Sequence, residues 1–378
     1  MKKLLILAAM AGVALVSCVK NEPAPSVTDQ QEITFAPPVM GTMTKANSFG
    51  ELSGVYPVAE NFNVYAVWHS GEEFLGWETS ASLYMDDVFT RYDDGYNGWR
   101  PDTRYYWPEH GGVLTFAAYS PSSVDVSGKS YTKEGLQLTG FKTGVKGTDG
   151  LTGYVDVLYS ERSYEKKANS SNSNDPYDGV DITFKHALSS IHFTAKKAAD
   201  YGSTAENTTD IYLKKITVYG VYSQADFNEG VDETDADVYK SSPAWSNHSS
   251  YNNTIIGESN PYIYFEGDQK LSSGLFVMKS DVNHTDVIVV PQTLPETAKV
   301  KLEYTIDSPG NTTPQIAQTH IVDLKSVTAT WEPGMRYTYN ISIALDEITF
   351  SPTVEVWTDT HKDAGNNDVP NDYPVEVE

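Results

Sequence analysis

The chain has 378 residues, with 27 Lys and Arg against 51 Asp and Glu, giving a formal net charge of −24. This acidic surface excludes binding to nucleic acid or anionic membrane, because phosphate recognition needs clustered basic side chains. The composition, 39% hydrophobic and 12% aromatic, excludes a disordered chain and suits half-buried β-sheets.

The first predicted element is an export signal over residues 1–17. Two lysines precede an apolar run from Leu4 to Val16, which is the pattern of a secretory signal peptide. The run is shorter than the roughly 20 apolar residues that a membrane-spanning helix needs. We therefore expect the mature protein to be exported.

The single cysteine of the chain, Cys18, follows directly after Leu-Val-Ser. This junction resembles the lipoprotein box of bacteria, in which the thiol carries a lipid and becomes the new N-terminus. Each buried CH₂ contributes about 0.8 kcal/mol, so several acyl chains of the palmitate type form a stable anchor. One cysteine also excludes an intramolecular disulfide. The alternative is an ordinary signal peptide with an incidental cysteine.

A short strand is predicted within the leader, residues 18–45, at Gln31–Pro37, with Ile33 and Phe35 as its apolar positions. A loop of small and polar residues follows. It contains Lys45, the one basic residue between Lys20 and Arg91. A trypsin-like protease acting here would cut the Lys45–Ala46 bond. The alternative is an ordinary solvated lysine.

Beyond the leader the dominant hydrophobic period is two. In the stretch NFNVYAVW, Phe62, Val64, Ala66 and Trp68 share one face, and AKVKLEYTID and RYTYNISIAL alternate in the same way. Such alternation, with short turn-rich connections, predicts an all-β protein built from antiparallel sandwiches. Helical signals are scarce, and SGEEFLGWETSASLYMDD holds a turn or two at most.

A polar stretch near residue 200, KAADYGSTAENTTD, is the predicted domain boundary. It divides the chain into an N-terminal sandwich, 46–200, and a C-terminal sandwich, 201–378. About 360 mature residues are typical of two domains.

Six segments carry a family resemblance, in this order: FNVYAVW, RYYWPEHGGVLTFAAYSP, ITFKHALSSIHFTAK, IYLKKITVYGVYS, VIVVPQTL and WEPGMRYTYNISI. Together they resemble the fimbrillin family, the subunits of type V pili on anaerobic gut and oral Gram-negative bacteria. The resemblance implies two transthyretin-like domains in tandem and lipoprotein export to the outer membrane and fimbrium. It also implies adhesion and assembly with other pilus subunits by strand exchange.

In that family an Arg- or Lys-specific protease removes the leading strand at the loop that corresponds to Lys45. The resemblance therefore implies that Ile33 and Phe35 leave with the lipid on Cys18, which opens the sheet to another chain.

Two segments are candidates for the incoming strand. The first is the terminal YPVEVE, in which Tyr373, Val375 and Val377 face one way. The second is Ile348–Trp357, with these apolar positions: Ile348, Phe350, Val354 and Val356. The alternative for the terminal segment is a frayed end.

Catalytic motifs are absent from the sequence. It has no G-x-S-x-G elbow, no H-E-x-x-H spacing and no phosphate-binding glycine loop. Its acidic clusters do not match the spacing of an EF-hand loop. We expect neither enzymatic activity nor a cofactor or metal.

Other functions stay open at this point. A non-polymerising surface lipoprotein could bind host or bacterial glycans or proteins through aromatic rings such as Trp99 and Trp107, although these rings could equally pack in the core or at the edge of a sandwich. The chain could also be an anchor or tip subunit of the same fibre.

Overall fold

The structure is a computed structural model. It describes residues 31–40, 56–71, 82–143, 155–168, 179–198, 210–230, 241–249, 262–272, 286–307, 316–344, 348–357, 360–362 and 368–370. The following predicted site residues lie outside these ranges: Cys18, Lys45, Ala46, Tyr373, Val375 and Val377.

The described residues form strands and one short helix. In chain order the strands are β1 (Val39–Met40), β2 (Asn61–His69), β3 (Ser82–Asp93), β4 (Gly98–Pro101), β5 (Val113–Ser120), β6 (Gly128–Thr132), β7 (Gly135–Lys142), β8 (Leu158–Ser160), β9 (Ser163–Lys166), β10 (Thr183–His186), β11 (Ser189–Lys197), β12 (Asp210–Tyr219), β13 (Gln224–Asn228), β14 (Ala244–Ser249), β15 (Tyr262–Lys270), β16 (Val287–Val289), β17 (Gln292–Thr293), β18 (Lys299–Asp307), β19 (Ile316–Asp323), β20 (Thr330–Trp331), β21 (Met335–Ile343), β22 (Ile348–Val356), β23 (Thr360–Lys362) and β24 (Asp368–Pro370). The helix α1 (Leu324–Val327) follows β19, and the side chain of Asp323 caps it by accepting a hydrogen bond from Lys325 N. The all-β fold class is therefore confirmed.

The largest sheet has the order β1-β10-β8-β5-β2-β3-β4, with β9 paired to β5. On its inner face the predicted alternation of β2 is confirmed, because Phe62, Val64 and Ala66 are buried in one core. Strand β5 is buried along its whole length, however. It is buried on both faces because a second sheet covers the other side.

That second sheet has the order β14-β13-β7-β6. It packs a separate core against the back of β2 and β5, in which Tyr65 and Tyr119 meet Leu138, Phe141 and Phe227. Strands β6 and β7 precede residue 200, whereas β13 and β14 follow it. One sheet thus draws on both sides of the predicted boundary, and the boundary itself stays a prediction.

The third core lies between the sheets β16-β11-β21-β22 and β15-β12-β18-β19. Alternation along β18 is confirmed, since Val300, Leu302 and Tyr304 are buried. On β21 the buried positions are Tyr337, Tyr339, Ile341 and Ile343. Together with Ile191 and Phe193 of β11, which precedes residue 200, these side chains form the core between the two sheets, called here the C-terminal sandwich.

Two expectations need correction. The sequence predicted antiparallel sheets, but β1 pairs with β10 and β11 pairs with β21 in parallel. Ser82–Asp87, at the end of the stretch with weak helical signals, belongs to strand β3. Of the helices in the described ranges, none is long and apolar enough to span a membrane.

Candidate functional site: the leading segment and its groove

Residues 31–40, called here the leading segment, are hydrogen-bonded along one side to the chain at and after β4. Ile33 N donates to Tyr105 O at 2.8 Å, and Phe35 N donates to Trp99 O at 3.0 Å. In return, Trp107 N donates to Gln31 O at 3.0 Å. This side of the segment is paired as an antiparallel strand would be.

The other side of the leading segment is bonded to residues 180–184, which lead into β10. Ala36 N donates to Val180 O at 3.0 Å, Val180 N to Thr34 O at 2.8 Å, and Val39 N to Ile182 O at 3.1 Å. Strand β1, the end of the segment, then continues the parallel pairing with β10.

The leading segment therefore joins two edges of the same sheet. Phe35 forms an antiparallel bridge with Trp99 of β4 and a parallel bridge with Val180 before β10. We call the channel between these two edges the groove. Without the segment, both walls of the groove would present unpaired backbone groups.

The apolar side chains of the leading segment form part of the core. Ile33 is 0% exposed and Phe35 is 3% exposed. The Phe35 ring lies edge-on to Phe62, at a centroid distance of 5.7 Å, and to Phe116, at 5.9 Å. Burying a side chain of this kind contributes about 1.5–3 kcal/mol. Both apolar positions of the predicted strand therefore lie in the core, and the removal of that strand stays a prediction.

Gly179 lets the groove wall approach the leading segment closely. Its φ is +107°, and a Cβ there would lie 2.3 Å from both Ala36 N and Phe35 C. A larger residue would therefore meet the backbone of the segment and would also strain its own. Glycine at this position allows the hydrogen bonds around Val180 to form.

A charge cluster lies at the start of the leading segment. Glu32 Oε1 is 3.9 Å from Arg100 Nη1 and 3.9 Å from Arg104 Nε, and it accepts no hydrogen bond although it is buried. Arg100 Nε also donates to Asp93 Oδ2 at 2.8 Å. The Glu32 side chain is 18% exposed, whereas that of Arg104 is 58% exposed. Two guanidinium groups of the groove therefore lie near the carboxylate at the start of the leading segment.

The rings proposed for glycan stacking are not on the surface. Trp99 is 2% exposed and Trp107 is 5% exposed, and both belong to the core that holds Phe35. The expectation that these rings offer a sugar platform is wrong, because their faces pack against other core side chains.

One candidate donor segment is described. Among the strands that the structure describes, β22 lies at the edge of its sheet and pairs with β21 alone, from Ile343 opposite Ile348 to Met335 opposite Val356. Ile348, Phe350 and Val356 pack partly buried against the C-terminal core, while Val354 is 44% exposed. The exchange of this strand stays a prediction.

Sequence reasoning missed both walls of the groove and the charge cluster. These features join positions far apart in the chain, and hydrophobic periodicity does not identify strand neighbours. The signal that was present is Gly179, three residues before the segment ITFKHALSSIHFTAK, since an isolated glycine often marks a close backbone approach. In the part of the chain that the structure describes, no group of three His, Cys, Asp or Glu is placed to hold a metal ion.

Residues 58–357 match the model of a family described as fimbrillin-like, and no curated protein matches the chain.

Three solved structures illustrate the likeness of fold. A fimbrial protein from Bacteroides vulgatus is 16% identical, with 87% of this chain and 100% of that chain covered and a TM-score of 0.51. A candidate cell adhesion protein from Bacteroides uniformis is 14% identical, covering 88% and 100%, with a TM-score of 0.46. The tip fimbrial protein Mfa3 from Porphyromonas gingivalis, truncated at its C-terminus, is 8% identical, covering 86% and 100%, with a TM-score of 0.32.

At these identities, the Bacteroides vulgatus structure supports the fold alone, and the two lower TM-scores carry no argument. The family match covers most of the chain, and on that ground the chain belongs to the fimbrillin-like family.

Proposed function

We propose that this protein is a structural subunit of a cell-surface pilus, exported as a lipoprotein, processed after Lys45 and polymerised by strand exchange. Membership of the fimbrillin-like family supports the coarse function, a fimbrial subunit that serves adhesion. The residues of the leading segment and its groove support the finer mechanism.

One observation carries the proposal: the leading segment is hydrogen-bonded on both sides and buried, yet Lys45 follows its last residue, Met40, by only five positions. Excision would expose two rows of unpaired N–H and C=O groups beside an apolar channel. Such a channel is a template for a strand of another chain. Other pilus subunits are therefore the partners.

The same cut would separate the subunit from the membrane. Cys18 lies on the same side of Lys45 as the leading segment, so one cleavage after Lys45 removes both. The lipid holds the precursor at the outer membrane, and a trypsin-like Arg- or Lys-specific protease releases it for assembly. Anchoring and assembly are thereby made mutually exclusive.

Limited proteolysis tests the proposal. The purified full-length protein is treated with a trypsin-like protease, sequenced from its new N-terminus and analysed by gel filtration. We expect a chain that begins at Ala46 and forms multimers. A matched Lys45→Ala variant should keep residues 31–40 and remain monomeric. Multimers formed equally by this variant, or cleavage after Lys45 without multimers, would overturn the proposal.

The same experiment separates the other positions in a fibre. An anchor subunit would keep its leader under conditions that process a subunit of the shaft. A tip subunit would be cut and would accept a strand, but it would not donate one.

A further inference from the structure

The sequence of the leading segment occurs a second time in the chain. Residues 32–39 read E-I-T-F-A-P-P-V, and residues 347–354 read E-I-T-F-S-P-T-V. Six of the eight positions are identical, and the two differences are Ala36 to Ser351 and Pro38 to Thr353. We call residues 347–354 the second copy; from Ile348 onward it lies in β22.

We propose that, after processing, the second copy of one molecule occupies the groove of the next molecule in the register of the leading segment, so that each residue replaces the one 315 positions before it. This inference rests on the proposed function. It names the donor strand, its register and its acceptor, which is another molecule of the same protein.

The backbone hydrogen bonds of the groove fit the second copy. In the leading segment, four N–H groups donate to the groove walls: those of Ile33, Phe35, Ala36 and Val39. Their counterparts are Ile348, Phe350, Ser351 and Val354, each of which carries an N–H group. Proline lacks this donor. Pro352 falls at the position of Pro37, so the second copy loses none of the four bonds.

The side chains fit in the same register. Ile33 and Phe35 fill the core positions of the groove, and Ile348 and Phe350 restore the same volumes and ring contacts. At Ala36, the Gly179 wall approaches the backbone rather than the side chain. A serine at the corresponding position therefore meets no obstacle from that glycine.

The charges fit as well. Excision of the leading segment would leave Arg100 and Arg104 without the carboxylate of Glu32, which lies 3.9 Å from each. In the proposed register Glu347 supplies that carboxylate again. Arg100 keeps Asp93 as a partner and Arg104 is largely exposed, so the carboxylate adds only a modest preference for this register over a strand that is shifted by one residue or lacks the acid.

The second copy is held less completely in its own sheet than in the groove. In β22 it has one neighbouring strand among the described residues, β21, whereas the groove offers hydrogen bonds on both sides. Thr349 is exposed in β22, while Thr34 is 4% exposed in the groove. Transfer therefore exchanges a half-exposed edge position for a buried central one.

This arrangement fixes the kind of polymer. Each processed chain would carry one empty groove and one second copy at different places on its surface. Contacts of this type are heterologous and extend into an open filament when they do not close into a ring. The chain is then a repeating shaft subunit that can assemble with itself.

Disulfide trapping tests the register. In the leading segment Val39 is the direct partner of Thr183 on β10, so Val354 of the incoming strand should take that place. We would introduce Thr183→Cys and Val354→Cys together, process the full chain and oxidise it. Cleavage after Lys45 removes Cys18, so the engineered thiols are the only ones in the product. Cross-strand neighbours at this spacing satisfy disulfide geometry.

The expected result is a ladder of cross-linked multimers on a non-reducing gel for Thr183→Cys with Val354→Cys. A matched pair, Thr183→Cys with Val375→Cys, places the thiol on the other candidate donor and should give no ladder. Before processing, and under reducing conditions, both variants should be monomeric and should show the circular dichroism of the original protein, which establishes that they fold.

The outcomes separate the two claims. Multimers that cross-link in the variant with Val375→Cys, and not in the variant with Val354→Cys, would overturn this inference and leave strand exchange intact. Processed protein that forms no multimers, with or without the substitutions, would overturn the proposed function and this inference with it.

Discussion

The leading segment and β22 contain nearly the same residues in two different environments. In the groove, Ile33 and Phe35 are 0% and 3% exposed and the backbone is bonded on both sides. In β22, Ile348 and Phe350 are only partly buried, and within the described part of the chain the strand has a single neighbour. The difference shows that neighbouring strands, rather than the residues themselves, decide how firmly a segment is held.

The two halves also differ in what would remain after a strand leaves. The N-terminal sheet relies on the leading segment to join β4 to β10. In the C-terminal sandwich, Asp286 binds across the sheet independently of β22: its carboxylate accepts from Ser190 Oγ at 2.6 Å and lies 2.8 Å from His192 Nδ1 and 3.0 Å from Arg336 Nε. We therefore expect the C-terminal core to tolerate the departure of its edge strand better.

The most direct way to sharpen this comparison is to truncate the same residue in both copies. Phe35→Ala should lower the free energy of unfolding of the unprocessed protein by about 3–5 kcal/mol, as for a fully buried phenylalanine. Phe350→Ala should cost about 1–2 kcal/mol, because its ring is only partly buried. Urea denaturation of the two variants measures the difference.

For assembly we expect the opposite ranking of the two variants, with the larger effect at Phe350. Phe350→Ala should abolish multimers after processing, while Phe35→Ala should leave them unchanged, because the leading segment has been removed. Equal effects of the two variants on unfolding and on assembly would contradict the comparison.

The Asp286 carboxylate and its three partners offer the next test. Burial alone would raise the pKa of the Asp286 carboxyl. Attraction to His192 and Arg336, together with hydrogen bonds from His192 and Ser190, lowers the pKa by more than burial raises it, so it lies well below its ordinary value. A depressed carboxyl pKa stabilises the fold above the unfolded value of about 3.9 and loses this contribution as the pH falls. Asp286→Asn should cost about 2–3 kcal/mol at pH 7.

The pH profile distinguishes this effect from simple packing loss. The difference in unfolding free energy between the original protein and Asp286→Asn should shrink as the pH is lowered below about 4. A difference that stays constant down to pH 2 would show that the charge of Asp286 does not contribute.

A glycine pair tests the close approach in the groove. Gly179→Ala should lower the free energy of unfolding by about 1–3 kcal/mol, because it combines a positive φ with a collision between the new Cβ and the backbone of the leading segment. Gly111 is the matched control, since its φ is +75° and its Cβ would meet nothing within 4 Å. Thermal unfolding of both alanine variants isolates the collision. Equal losses would mean that the groove wall can move aside.

The sequence predicts some features of the fold and of the groove but not others. Alternation located β18 and the apolar face of the leading segment, because side chains on a strand alternate between two faces. It did not decide whether Trp99 and Trp107 lie in the core or on the surface, and it did not reveal that β7 pairs with β13 across residue 200. Strand neighbours are set by contacts between distant parts of the chain, which local periodicity does not encode.

The smallest expected effect concerns charge. Glu347→Gln should weaken assembly by two- to five-fold, equivalent to about 0.5–1 kcal/mol, because Arg104 is largely exposed. Glu355→Gln is the matched control, since it corresponds to the uncharged Met40. Sedimentation at low and high salt should show that the effect of Glu347→Gln decreases with salt. An equal effect of both variants would argue against the register.

Strand replacement requires that the leading segment is lost before assembly. The direct measurement is the N-terminal sequence of the protein in fibres sheared from the cell surface. We predict that it begins at Ala46, with no peptide from residues 31–40 present. Fibres whose subunits begin at Cys18 and retain Ile33 and Phe35 would contradict strand replacement.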